Sequence, residues 1–393
     1  MVYGILSALQ SAVMVMAVTR VEEDLEKAGI ISLAYAAAYL MQTAAAYGVR
    51  NFHASDVTGM YSFWEYKAVR NVTCALAFIS AVGYCLCIGY DRQKMLFVAC
   101  ICILKLSEVY EDLLHGELQR LGRLDAACRF GTFRMLAGYG IILVLLSAGS
   151  GVFELFVTLA VQSIIFVCIE YILLKRTQQE EEIDLCRCRK IIKECFPIFF
   201  MNFLNIFICN VPKYAIDACL TEEVQAYFSI LFMPVFCIGL LSEAIYRPKL
   251  VEAAQIWKDG RSSEFYDFVK KQVEYIFFIT TAACLLGAGI GIRILGMLYG
   301  LPLQQYAVDF AVLLAGGGIA ALVNFFAACL TVIRKHFLMA GVFSVTAAAA
   351  FGISKYMVEK GGLRGAAALY VVLMSCELLF MAVIIVRYWR RET

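Results

Sequence analysis

Runs of roughly twenty apolar residues recur along the chain with short polar breaks between them. An α-helix of about twenty residues spans the ~30 Å hydrocarbon core of a bilayer. The pattern predicts helices over 2–19, 29–48, 69–90, 95–115, 130–149, 152–174, 192–216, 225–246, 272–292, 305–331, 337–356 and 363–387. It therefore describes an all-α polytopic membrane protein of about twelve transmembrane helices. Composition agrees: 62% of the 393 residues are hydrophobic, 17% are charged and only five are proline. Lipid offers no partners for backbone groups, so such a chain must satisfy them within helices.

Charge orients the spans. One set of alternate loops carries most of the lysine and arginine, among them Arg50, Lys67, Arg120, Lys190, Arg247, Lys270, Arg334, Lys335 and Arg387. The other set holds Arg20, Lys27, Arg92, Lys94, Lys213, Lys355, Lys360 and Arg364. The richer set is expected on the cytoplasmic side, which puts both termini inside the cell membrane. The net charge of +2 gives no reason to expect nucleic acid as a partner. Most of the 16 cysteines lie in apolar segments, where a thiol behaves as a small hydrophobe. Cys186, Cys188 and Cys195 lack a CxxC pair or nearby histidines, so no metal site and no cofactor is expected. The opening MVYGILSALQ has no basic segment and reads as a first span, not as a removable signal.

The polar segment KRTQQEEEIDLCRCRK divides the predicted spans six and six. This organisation gives an N-terminal lobe at 1–176, a cytoplasmic linker at 177–191 and a C-terminal lobe at 192–393. The two halves enter the membrane in the same orientation, so a repeat would be parallel. GMYSFWEYKAVR (59–70) and GRSSEFYDFVKK (260–271) hint at one, each between the second and third helices of its half. Ser62 with Glu65 forms a capping-box pattern at the third helix, and Tyr61, Trp64 and Tyr66 suit a membrane interface.

The fourth run is interrupted by KLSEVYEDLLHGELQR. Lys105, Glu108 and Asp112 share one helical face. A charge at mid-bilayer costs about 2.5 to 3.5 kcal/mol on the insertion scale. That face must meet water, a partner charge or a substrate: either an internal Lys105–Glu108 pair or a cavity lining. Asn202, Asn205 and Asn210 share the seventh run with Pro197 and Pro212, which predict bends. Arg134, Arg293, Asp309, Asn324 and Glu377 are further polar intrusions, and Arg50 and Arg247 end their helices as anchors or as parts of a path. His53, His115 and His336 fall at predicted cytoplasmic helix ends. GGGIA at 316–320 lies within a helix and lacks the lysine of a phosphate-binding loop. No catalytic constellation is present, and a non-enzymatic role is expected.

YGVRNFHASDVTGMYSFWEYKAVR, KLSEVYEDLLHGELQRLGRLDAACRFGTFR, CNVPKYAID and FMPVFCIGLLSEAIYRPKLVEAAQIW together resemble the polysaccharide-flippase branch of the multidrug/oligosaccharidyl-lipid/polysaccharide (MOP) exporter superfamily, and Wzx-like proteins in particular. The resemblance implies two six-helix lobes around a central cavity. It implies a flippase moving an undecaprenyl-pyrophosphate-linked oligosaccharide from the cytoplasmic to the outer leaflet for cell-surface polysaccharide biosynthesis. Membrane lipid and other polysaccharide-assembly proteins are the expected partners, and a monomer is the expected state. Relatives usually carry a further polar and aromatic stretch before the first helix, so that helix is expected to be short or truncated at its start.

Arg50, Lys105, Arg134, Arg247 and Asn202 are the expected substrate-binding residues, since an arginine fork suits pyrophosphate oxygens. Glu108, Asp112 and Glu377 are the expected ion-coupling residues. Three alternatives stand beside this reading: a cation-coupled multidrug antiporter of the same superfamily, a membrane glycosyl-transferring enzyme and a generic solute carrier. The first is disfavoured because residues 2–19 contain no acidic residue.

Overall fold

The computed structural model describes residues 2–21, 24–56, 59–176, 181–333 and 336–392. Arg334 and Lys335 of the basic loop set, and 177–180 of the linker, lie outside them. The α-helices are α1 (Val2–Val21), α2 (Leu25–Ala46), α3 (Val49–Ser55), α4 (Phe63–Ile88), α5 (Arg92–Arg120), α6 (Leu124–Ser147), α7 (Val152–Lys175), α8 (Leu185–Cys219), α9 (Glu222–Tyr246), α10 (Leu250–Lys258), α11 (Ser262–Leu286), α12 (Ile292–Tyr299), α13 (Ala307–Val332) and α14 (His336–Glu392). Among the described residues nine helical stretches are long and apolar enough to cross a membrane. The last contains Gly362 at φ 56°, ψ −137°, which divides α14 into two helices. With 20-residue α1 and 29-residue α5, every predicted run falls on a described helix.

Local chemistry sets several boundaries. The Asp24 and Asp91 side chains accept from the Lys27 and Lys94 backbone N–H, each at 3.0 Å, and start α2 and α5. The capping box expected at Ser62 and Glu65 is complete in both directions. Helices α4, α8 and α11 begin a turn or more before the apolar windows, at Phe63, Leu185 and Ser262. Their first turns are polar, so a hydropathy window misses them. Gly59 and Gly260, aligned in the two similar stretches, both have positive φ, and each follows a short helix and precedes a long one. Helix α8 runs through Pro197 and Pro212.

The chain forms two compact units, Met1–Ile206 and Phe207–Thr393, whose boundary falls inside α8. Residues 181–184 of the expected linker precede that helix. Within the first unit α5 is the hub, packing against α2, α3, α4, α6 and α7. The first part of α8 contributes Cys188, Ile191 and Cys195 to a core with Val49, Phe63 and Leu113. The interfacial role expected for Tyr61 and Tyr66 is overturned: they are 4% and 0% exposed, because α3 and the start of α8 cover them. The outer faces remain apolar, with Ile79, Phe133 and Leu143 at 65%, 69% and 71% exposure. In water such surfaces would aggregate, whereas in lipid they are solvated.

Helix α13 is the hub of the second unit, in contact with α9, α11 and α14. It achieves this with three successive glycines. A methyl at Gly316 would lie 2.7 Å from Tyr370 of α14, and one at Gly317 2.7 Å from Val235 Cγ1 of α9. One at Gly318 would overlap Thr280 of α11. Side chains of three neighbouring helices thus press directly against the backbone of one helix. Gly317→Val should therefore overpack the α9 contact, where the Val235 carbonyl also stands 3.2 Å away. We expect a loss of about 1–3 kcal/mol, measured as a lower unfolding midpoint in detergent, while Gly341→Ala, inside α14 and meeting nothing within 4 Å, does not lower it.

Candidate functional site

Helix α5 carries acidic residues along the side that faces the rest of the first unit, and cations from other helices come to meet them. Lys105, 1% exposed, donates to Gln10 Oε1 of α1 at 2.7 Å and to Glu108 Oε2 at 2.9 Å. Its ammonium also lies over the Tyr39 ring of α2, 4.8 Å from the centroid. Glu108 accepts from Gln42 Nε2 at 3.3 Å. Arg134 of α6, 3% exposed, places Nε 3.0 Å from Glu111 Oε1 and a terminal nitrogen 2.8 Å from Glu111 Oε2. Nε–H donates to Oε1, while the terminal nitrogen meets Oε2 as an ion pair without a formed hydrogen bond. Tyr3 of α1 donates to the same carboxylate at 3.1 Å.

One turn further, His115 Nε2 lies 3.3 Å from Glu170 Oε1 of α7 and 3.9 Å from Glu111 Oε1. Arg50, in the first turn of α3 and 28% exposed, pairs with Asp112 and donates to Gln119 Oε1 at 3.2 Å. Next to it His53 Nε2 and Glu117 Oε2 are 2.7 Å apart, both 0% exposed, and Arg120 binds the same carboxylate at 2.7 and 2.9 Å.

The structure thus gathers Lys105, Glu108 and Arg134 into one buried cluster and sets Arg50 and Asp112 beside it as a half-exposed pair. The internal Lys105–Glu108 pair is present. Arg247 stands elsewhere, exposed at 68% and paired with Glu243 at 2.8 Å. Asn202 is exposed on α8. Glu377 is fully buried in the second unit, and neither of its oxygens has a hydrogen-bond partner. Glu111, His115, Glu170, Gln10 and Tyr3 are partners that the sequence reading passed over. Two signals pointed to them: Glu111 and His115 stand four apart, and Glu170 is the lone charge in SIIFVCIEYILL.

No family model matches the chain, and no curated protein matches it in sequence. Among solved structures it is similar to an inward-facing multidrug resistance MATE family transporter of the MOP superfamily, at 13% identity and TM-score 0.62 over 99% of this chain and 95% of that one. It is also similar to the Vibrio cholerae MATE transporter VcmN in its bent form, at 9% identity and TM-score 0.60 over 100% and 95%. A third is a MOP superfamily transporter from Pyrococcus furiosus, at 13% identity and TM-score 0.53 over 98% and 91%, whose binding pocket is described as reversed in polarity. The chain therefore has a MATE-like, two-lobed all-helical fold, that of a multi-pass membrane protein.

Removing one member of a buried pair leaves an uncompensated charge, at a cost of about 3–5 kcal/mol. Arg134→Leu should accordingly lower the unfolding midpoint and the folded yield sharply. The double change Arg134→Leu with Glu111→Leu should recover most of the loss, as read by thermal melting in detergent.

Proposed function

We infer that the protein is a transporter working by alternating access, and that its cargo is an undecaprenyl-pyrophosphate-linked oligosaccharide carried from the cytoplasmic to the outer leaflet. The MATE-like fold, matched over 99% of the chain, supports transport. The observation that carries the cargo class is the ladder of cations paired with the acidic residues of α5: Arg50 of α3 at Asp112, Arg134 of α6 at Glu111 and Lys105 of α5 itself at Glu108. Three cations at successive levels, the outermost half-exposed, give a pyrophosphate a series of exchange partners for its oxygens. Outward movement of an anion is also downhill, by about 2.3 kcal/mol per charge per 100 mV when the cell interior is negative. The prenyl tail can stay in lipid throughout. Both termini lie in the cytoplasm on this reading, the protein works as a monomer in the cell membrane, and polysaccharide-assembly enzymes supply and consume its cargo.

A second reading, a cation-coupled multidrug antiporter, draws on the multidrug transporters among the similar structures and on the acidic excess of the buried cluster. Glu108, Asp112 and Glu377 would then carry the coupling ion.

The two readings separate in sealed proteoliposomes given a fluorescent polyprenyl-pyrophosphate oligosaccharide in one leaflet. The unaltered protein should move the lipid across, and Arg50→Ala should slow it about tenfold with protein levels unchanged. Exchange of cationic dyes against a proton or sodium gradient, with no lipid movement, would establish the antiporter instead.

A further inference from the structure

The buried cluster sets three carboxylates against two permanently charged cations. Lys105 and Arg134 face Glu108, Glu111 and Glu170, all of them 7% exposed or less. Lys105 and Arg134 already engage Glu108 and Glu111, so the deficit sits at Glu170. Here two buried atoms, His115 Nε2 and Glu170 Oε1, have no hydrogen-bond partner although they are 3.3 Å apart. Glu111 Oε1 completes a triangle with them, and the donor atoms of the three residues all lie within 4.8 Å of one another.

We propose that Glu111, His115 and Glu170 bind one divalent transition-metal ion, which ties α5 to α7 at the end of α5 that carries Arg120. Two ligand atoms at about 2.1 Å from a tetrahedral ion stand about 3.4 Å apart. The separations of 3.3 and 3.9 Å about His115 Nε2 are close to that spacing. One imidazole nitrogen with two carboxylate oxygens suits zinc or manganese better than calcium or magnesium, which take oxygen ligands almost alone. Arg134 Nε, donating to Oε1, and Tyr3, donating to Oε2, hold the Glu111 carboxylate in place, the supporting contact that metal ligands need. The Tyr3 ring stands edge-on to His115 at 5.7 Å. Gly131 of α6 makes room for that ring, since a methyl there would lie 2.6 Å from it.

The test uses the full-length protein in detergent, stripped with chelator and dialysed against zinc. We expect one zinc per chain. We also expect cobalt, used as a spectroscopic substitute, to give the strong visible absorption of a four- or five-coordinate site. His115→Ala and the near-isosteric Glu170→Gln should each weaken zinc binding at least tenfold. The cobalt spectrum is read on the unaltered chain, so it stands even if a variant fails to fold. Zinc uptake no greater than a detergent blank, a cobalt spectrum of the hydrated ion, or affinity unchanged in both variants would overturn the proposal. Lipid translocation is not a readout here, so the result is independent of the cargo assigned above.

Discussion

A charge surrounded by hydrocarbon must find a partner of opposite sign, and the first unit is organised around that requirement. Helix α5 brings Glu108, Glu111 and Glu117 into the middle of a helical bundle and Asp112 to its partly exposed side. Each carboxylate recruits a cation or imidazole from its own helix or a neighbour: Lys105 on α5, Arg134 on α6, Arg50 after α2, His53 on α3. The pairings therefore fix which helices surround α5 and at what height. Apolar packing alone would not, because lipid tails compete equally well for a leucine face.

The second unit meets the same geometric demand differently. Its fourth span, α13, is also enclosed by neighbours, yet it carries few charges and instead removes side chains altogether at Gly316, Gly317 and Gly318. The equivalent position in the two halves is thus held by ion pairs in one and by side chains pressed against a helix backbone in the other. Among the described residues of the second unit, the Glu377 carboxylate, the Gln225 amide and the Thr346 hydroxyl are buried without hydrogen-bond partners.

Much of the fold was legible from periodicity, because a run of apolar residues needs no knowledge of its neighbours to be recognised. The Ser62–Glu65 cap and the Lys105–Glu108 pair were legible for the same reason: both partners lie within one turn of each other. The rest of the site was not. Arg134 could be marked as an intrusion, but its partner is 23 residues away on another helix, and Gln10 is 95 residues from the lysine that it holds. Asp112 shares a face with Lys105, yet it turns to Arg50, while Glu111 takes the buried place. Tyr61 and Tyr66 looked interfacial because nothing local reveals that the start of α8, more than a hundred residues later, lies over them.

The glycine triplet also has a mechanical consequence. Helices separated by side chains can slide by repacking rotamers, a compliant layer that yields a little at a time. Where neighbouring side chains press directly on a helix backbone, as Tyr370, Val235 and Thr280 do on α13, that layer is thinner and a small displacement meets hard repulsion at once. The core of the second unit should behave as a stiff body, transmitting force instead of absorbing it. Any bending during a working cycle is then left to segments outside this packed core.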